Sequence, residues 1–285
     1  KGQSFRFDWE SIEILYQAFG GGRKGVWLTF SIKKDKRFLK YKDWNFKEAR
    51  LKYDGELWLY VIFEKEVEQK VVQGYLAVDI NFNNVTLSNG RRMLYDLSRA
   101  IEMQEEIEKI MKKYNKQWSK NKGILRAIRR RWKNIRNYIN DIAWKVANFV
   151  CSYGFGIVLE DLNGLKEEMA NLNKSARKRL NFFAYRKIQK AIEIKAEEYG
   201  LKVFYVDARR TSVICPRCEG ITKMISWKLL KCKKCGKRWD RDRLAALNIL
   251  RKFNQMRSKM SVDAPLTLWG SASNLDENPM GMRRR

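Results

Sequence analysis

Two CxxC pairs, Cys215/Cys218 and Cys232/Cys235, stand thirteen residues apart in the 285-residue chain, and no other feature constrains its fold as tightly. A CxxC turn sets two thiols on one side of a tight knuckle, and two knuckles at hairpin tips close a tetrahedron around a zinc ion. Four sulfurs leave no open coordination position, so the predicted zinc is structural and activates no water. A pair of redox dithiols is the alternative, but the βαβ pattern that accompanies such motifs is not evident around them. The remaining cysteine, Cys151, lies in an apolar helical stretch and reads as core. Cysteine used in CxxC pairs suits a reducing compartment, so a cytoplasmic protein is expected.

Charge restricts the partner. Lys and Arg number 60 against 32 Asp and Glu, a formal net charge of +28 with no histidine in the chain. Nucleic acid fits best, because closely spaced phosphates release counterions to many cations at once, whereas a membrane-surface protein concentrates basic charge on one amphipathic helix. No apolar run approaches the roughly 20 residues that span a bilayer, and no membrane partner is expected. The absence of histidine removes His-based acid–base chemistry and His-ligated metals together, so carboxylates must carry any catalysis. Monomer and dimer both remain open.

Residues 1–73 read as β: "SFRFDW", "SIEILY", "GVWLTFSI" and "ELWLYVIFE" are short, β-branched and aromatic, and predict a small barrel-like or sandwich segment. Its aromatics either fill its own core or grip nucleic acid. Lys1 stands where a start methionine would, and a strand-like segment follows almost at once, which reads as a piece of something longer. From Gly74, "YLAVDINFNNVTLSNG" predicts a strand over Tyr75–Ile80, a turn carrying Asn81, Asn83 and Asn84, and a second strand.

Residues 97–150 predict a helical hairpin broken near "SKNKG". Leu125, Ile128, Trp132, Ile135, Ile139, Ile142, Val146 and Phe149 form a heptad seam in the second helix. Ala100, Met103, Ile107, Ile110 and Tyr114 form one in the first, so the two are expected to zip together. Arg126, Arg129, Lys133 and Arg136 make a parallel basic stripe, either a solvated face or a phosphate contact. A strand ending in Glu160 and Asp161 follows, then a helix from about Ser175 to Tyr199 capped by Gly200, a strand ending in Asp207, the cysteine knuckles over 211–239, and a last helix from about Arg241 to Phe253. Residues 259–285 read as a disordered tail.

Three carboxylates sit where chemistry commonly sits, at or just beyond apolar strand ends: Asp79 in "AVDI", Glu160 in "IVLED" and Asp242 in "DRDRLAA". Acids so placed can hold two Mg²⁺ ions about 3.5–4 Å apart, an arrangement that hydrolyses phosphodiesters. Asp242 alone also reads as an acid favoured by a helix N-terminus.

Four segments, "AVDINFNN", "IVLEDLNGL", "YRKIQKAIEIKAEEYGLKVFYVDARRTSVICPRC" and "CKKCGKRWDRDRLAALNI", resemble in order and context the OrfB/TnpB proteins of insertion sequences, relatives of the type V CRISPR effector nucleases. The resemblance covers about residues 74–255. It implies an α/β fold: an RNase H-like RuvC nuclease domain (74–210 and 240–258) with the helical hairpin inserted and a zinc ribbon over 211–239. Residues 1–73 would then close an N-terminal lobe that is otherwise absent. It implies further a transposon-encoded, Mg²⁺-dependent endodeoxyribonuclease directed to target DNA by a guide RNA from the transposon end, with Asp79, Glu160 and Asp242 matching the three RuvC acids. A cleavage-inactive RNA-guided regulator and a DNA transposition protein are the alternatives. Three positions depart from the family pattern, Asn81 for glycine, Leu244 for asparagine and Ala208 for proline, and none removes a carboxylate. Basic residues from Arg217 to Arg238, with Trp227 and Trp239, give the ribbon the means to touch a nucleic acid.

Overall fold

The structure is a computed structural model and describes residues 5–16, 25–31, 39–53, 55–161 and 185–259. The chain divides into two compact units, Lys1–Glu66 and Val67–Arg285. In the first, β1 (Phe5–Phe7), β2 (Ser11–Tyr16) and β3 (Val26–Ser31) form an antiparallel sheet, and β4 (Asn45–Tyr53) pairs antiparallel with β5 (Leu57–Glu64). Aromatic rings join the two sheets: Phe5 meets Phe46 edge-on at 5.5 Å, and Trp9 stacks on Phe63 at 5.4 Å. β4 departs from the local pattern. Its sequence, "NFKEARLKY", is rich in charged helix formers, and the full-length pairing with β5 overrides that preference.

The second unit is built on a five-stranded sheet, with β6 (Tyr75–Ile80), β7 (Asn84–Leu87), β8 (Arg92–Leu94), β9 (Gly156–Asp161) and β10 (Val203–Asp207) in the order β10-β9-β6-β7-β8. β10, β9 and β6 run parallel, while β6, β7 and β8 form an antiparallel meander. Burial on both faces explains the near-continuous apolar runs in "YLAVDI" and "GIVLED". Alternation along these strands then sorts residues between two layers. Leu76, Val78, Ile157 and Leu159 join the larger core, with Ile135, Ile142, Val146, Ile188 and Ile192 from the helices α1 (Ser98–Lys113), α2 (Lys122–Cys151) and α3 (Tyr185–Tyr199). Ala77, Val158 and Val206 face the other way, against Ile249 and Phe253 of α4 (Arg241–Lys259).

The heptad seams are buried or half-buried as their periodicity predicts, except for Tyr114 at the exposed end of the first, but the zipping is divided differently. α2 packs against α1 and more extensively against α3. Length explains this: at about 1.5 Å per residue the 16-residue α1 covers only about half of the 30-residue α2. Cys151, at the end of α2, is buried, and its thiol approaches the carbonyl of Ile192 on α3 at 3.9 Å. Gly200 takes φ +71°, and a Cβ there would lie 2.4 Å from the Glu68 carbonyl. The helix predicted from about 175 is described from Tyr185 onward. The remainder of that segment and residues 260–285 of the predicted 259–285 tail lie outside the described residues, whereas Lys259 ends α4.

Between β10 and α4 a third sheet forms from β11 (Thr222–Ser226), β12 (Leu229–Cys232) and β13 (Arg238–Asp240), all antiparallel. β13 runs without a linker into α4. Among the described residues, no helix is long and apolar enough to cross a membrane.

Candidate active site

Register places the first two acids. The parallel pairing of β6 with β9 aligns Tyr75 with Gly156 and Ala77 with Val158, and carried two residues further it sets Asp79 abreast of Glu160. Both acids have the parity of Ala77 and Val158, so both belong to the face that α4 covers. The third acid arrives from that layer, because Asp242 occupies the first turn of α4 and is buried. The three predicted carboxylates therefore converge on one end of one sheet face.

Burial of neighbouring like charges shapes the electrostatics. Desolvation, then the charges of Glu160 and Asp242, push the Asp79 carboxyl up to about 8 against the opposing Asn81 hydrogen bond and Arg241. Asn81 donates to Asp79 Oδ2 at 2.5 Å, so the residue standing where the family resemblance expects glycine supports the first acid. Burial also raises Glu160, opposed by Thr211 and Lys252 and reinforced by Asp207. Glu160 Oε1 is buried with no hydrogen-bond partner. An orphaned carboxylate oxygen in a cluster of buried acids suits a divalent cation, and oxygen donors are the set that Mg²⁺ prefers. Two tyrosines border the acids. The Tyr95 hydroxyl donates to the Asn81 carbonyl, and Tyr185 lies within electrostatic reach of Asp79 and Glu160, its own hydroxyl raised first by burial and then by those charges.

Asp240 and Asp242 are separated by their contacts. Asp240 Oδ1 accepts from the backbone N–H of Arg243 at 3.0 Å, which makes it the N-cap of α4, and also from Arg92 Nη2 at 2.6 Å. Asp242 Oδ2 accepts from Asn84 Nδ2 at 3.2 Å, with Arg92 and Lys228 each 3.7 Å away. The capping role left open for Asp242 thus belongs to Asp240.

The four thiols form a second centre. Sγ of Cys215 and Cys235 lie 3.7 Å apart and those of Cys218 and Cys232 lie 3.4 Å apart, close to the edge of about 3.8 Å that a tetrahedron with zinc–sulfur bonds of about 2.3 Å requires. Among the described residues this is the set of three or more candidate ligand atoms that gathers within 4.8 Å. Gly220 makes the approach possible, since a Cβ there would meet Cys232 Sγ at 3.1 Å and Lys234 Cβ at 2.6 Å. Although burial opposes ionisation, the backbone N–H groups of Arg217 and Cys218, with Cys235, hold the Cys215 thiol down to about 6. Asn248 of α4 ties that helix to the segment entering the first knuckle, its Nδ2 donating at 2.7 Å to the carbonyls of both Thr211 and Ile214. The N–H of Arg241 bonds the Lys228 carbonyl at 2.9 Å.

Arg126, Arg129, Lys133 and Arg136 are exposed on one side of α2, opposite buried Ile128, Ile135 and Ile139. They belong to the helical layer, across the sheet from α4. The residues that sequence reading missed, Asn84, Thr86, Arg92, Thr211 and Asn248, are polar groups whose value depends on what faces them. Of these only Asn84 was singled out by number, as part of a turn.

A TnpB-like protein of Methanocaldococcus jannaschii is 30% identical over 278 residues, covering 92% of this chain and 98% of its own. The chain belongs to the TnpB-like family. The family model described as the Cas12f1-like TNB domain matches residues 185–249, which run from α3 through the thiol sheet into α4. The CRISPR-associated endodeoxyribonuclease Cas12f1 of Sulfoacidibacillus thermotolerans is 34% identical to this TnpB-like chain over 85 residues, 29% of this chain and 20% of that protein. A Cas12f1 chain solved by cryo-EM in a complex with sgRNA and target DNA superposes with a TM-score of 0.56 at 16% identity, covering 80% of this chain. The chain spans about half, 53%, of that Cas12f1 chain. The fold shared with that Cas12f1 chain is α/β.

Proposed function

We propose that this TnpB-like chain is an RNA-guided, Mg²⁺-dependent DNA endonuclease, with Asp79, Glu160 and Asp242 as the metal-holding acids and a zinc ribbon built on Cys215, Cys218, Cys232 and Cys235. The observation that carries the reading is the convergence of three carboxylates from β6, β9 and α4 on one sheet face, with Glu160 Oε1 buried and unpartnered. Mg²⁺ held there supplies Lewis acidity, lowering the pKa of an attacking water and steadying the leaving oxygen of the phosphodiester. The chain's own residues meet the requirements of that chemistry. Asp79 and Glu160 sit on strands stiffened by pairing on both sides, so their separation is set by the sheet. Asp242 sits on a helix whose start is tied to the thiol sheet through β13 and the Arg241–Lys228 bond, and whose Asn248 holds the segment entering the first knuckle. A zinc-closed ribbon thereby fixes the third acid against the other two. The net charge of +28 provides for polyanionic partners, a guide RNA from the transposon end and the target DNA it pairs with.

The test is to purify the full-length protein with its bound RNA, sequence that RNA, and challenge the complex with a plasmid library matching it. Mg²⁺-dependent cleavage of matched plasmids only is expected. A complex that holds RNA and matched DNA without cutting overturns the nuclease reading, and a chain that carries no discrete RNA overturns guidance.

A further inference from the structure

The face of the sheet that bears the acids also bears a row of polar residues that the proposed chemistry does not use. Cross-strand pairing aligns Arg92 with Thr86 on β8 and β7, and Thr86 with Asp79 on β7 and β6. Asn84, two residues before Thr86, has the same parity and points to the same layer. Asn84 and Thr86 are almost wholly buried, each 1% exposed, in strands whose other inward positions are apolar. Polar side chains so placed cost stability unless each is satisfied.

They are satisfied by one another in an unbroken chain. Arg92 Nη2 donates to Asp240 Oδ1 at 2.6 Å, and its Nε donates to Thr86 Oγ1 at 3.0 Å. Thr86 Oγ1 donates to Asn84 Oδ1 at 3.1 Å, and Asn84 Nδ2 donates to Asp242 Oδ2 at 3.2 Å. Each group has one direction available. A guanidinium only donates, so Thr86 must accept from it and pass its own proton to Asn84 Oδ1, which leaves the Asn84 amide nitrogen to donate to Asp242 Oδ2 and, at 3.1 Å, to Asn83 Oδ1. The chain closes through the protein, because Asp240 and Asp242 open the same helix. Among the described residues, the hydrogen bond from Asn84 and the ion pairs with Arg92 and Lys228 all fall on Asp242 Oδ2.

We infer that Asn84 and Arg92 are positioning residues that hold Asp242 by one oxygen and present the other, Oδ1, to the metal. The inference rests on the proposed metal site and adds what orients its third ligand. Asn84 fixes the carboxylate plane, and Arg92 sets the direction of the Thr86 and Asn84 hydrogen bonds while joining the capping acid to the ligand acid. Outer hydrogen-bond partners of metal ligands change metal affinity by about 10–100-fold when removed.

The experiment is Mn²⁺ binding to the purified full-length protein, read by the electron paramagnetic resonance signal of free Mn²⁺, alongside zinc content and the Mg²⁺ dependence of cleavage. Asn84→Asp keeps shape but replaces the donor, and Arg92→Lys keeps charge but cannot reach Thr86 and Asp240 together. Both variants are expected to keep one zinc per chain and to weaken Mn²⁺ by about tenfold or more. Cleavage should move to higher Mg²⁺, with most of the maximal rate recovered at saturation. Arg92→Lys, at a partly exposed position, keeps the test open if Asn84→Asp does not fold. Parent-like Mn²⁺ affinity in folded Arg92→Lys, with Asp242→Ala losing it, overturns the positioning role alone. Absence of Mn²⁺ binding by the parent overturns the metal site proposed above, and this inference with it.

Discussion

Asn84 on β7 and Asp242 on α4, 158 residues apart in the chain, are joined by a hydrogen bond of 3.2 Å. Asp240, two positions earlier, turns instead to the helix backbone and to Arg92. The two acids of "DRD" therefore have separable consequences. Asp240→Ala removes an N-cap and is expected to cost about 1 kcal/mol, seen as a lowered Tm, while cleavage persists. The Arg92 ion pair adds little to that cost, since both partners are about a third exposed. Asp242→Ala should keep its zinc and lose cleavage by orders of magnitude. Metal analysis, thermal melting and plasmid cleavage on the pair check the assignment, and equal loss of cleavage in both would merge the two roles.

Cys232→Ser acts from the other side of the same junction. Three thiols hold zinc far more weakly than four; β13 then loses the rigid sheet against which it holds α4, and Asn248 loses the ordered knuckle entry that it binds. Zinc content and cleavage should fall together, although every carboxylate remains. A variant that has lost zinc and cuts at the parent rate would show that the thiol sheet does not position Asp242.

Neutralising Arg126, Arg129, Lys133 and Arg136 should weaken nucleic-acid binding equally across sequences. These side chains are exposed along α2, and none forms an ion pair among the described residues. For every phosphate that is no longer neutralised, the log-log salt dependence should flatten by about 0.7–0.9. Titrations at several salt concentrations measure the slope, and an unchanged slope places the stripe on a solvated face.

The raised Asp79 carboxyl gives a pH dependence with a definite sign. With its pKa pushed up to about 8, chiefly by burial, the folded chain keeps a proton that the unfolded chain releases near pH about 4. The native state thus binds more protons between those values, and the stability this contributes is present at low pH and lost as pH rises through about 8. Asp79→Asn lacks that contribution. In Mg²⁺-free buffer with zinc retained, its Tm relative to the parent should rise from about pH 5 to about pH 8. Parallel Tm profiles would show that Asp79 is not held protonated.

Much of this arrangement was legible because it is written in local patterns. The spacing of Cys215, Cys218, Cys232 and Cys235 anticipates their gathering, and the apolar run over Tyr75–Ile80 matches β6 residue for residue. The periodicity of α2 identifies its buried face, since Ile128, Ile135, Ile139 and Ile142 are all buried. It does not say that α3 rather than α1 would cover most of that face. Asn84, Thr86 and Arg92 were invisible for a related reason. Their roles depend on the register of β6, β7 and β8 and on which face α4 covers, and both are long-range outcomes. β8 itself, three residues long, is too short to carry an alternation signal.

The central claim is that charge on the converging acids drives cleavage, and Glu160→Gln tests it most directly. The substitution keeps the shape of a side chain whose Oε1 is buried and unpartnered, and it removes the charge a metal would answer. Single-turnover cleavage of guide-matched DNA in Mg²⁺ should fall by orders of magnitude while guided binding of the same DNA, measured in parallel, stays at the parent level. Cleavage by Glu160→Gln at the parent rate would contradict the account.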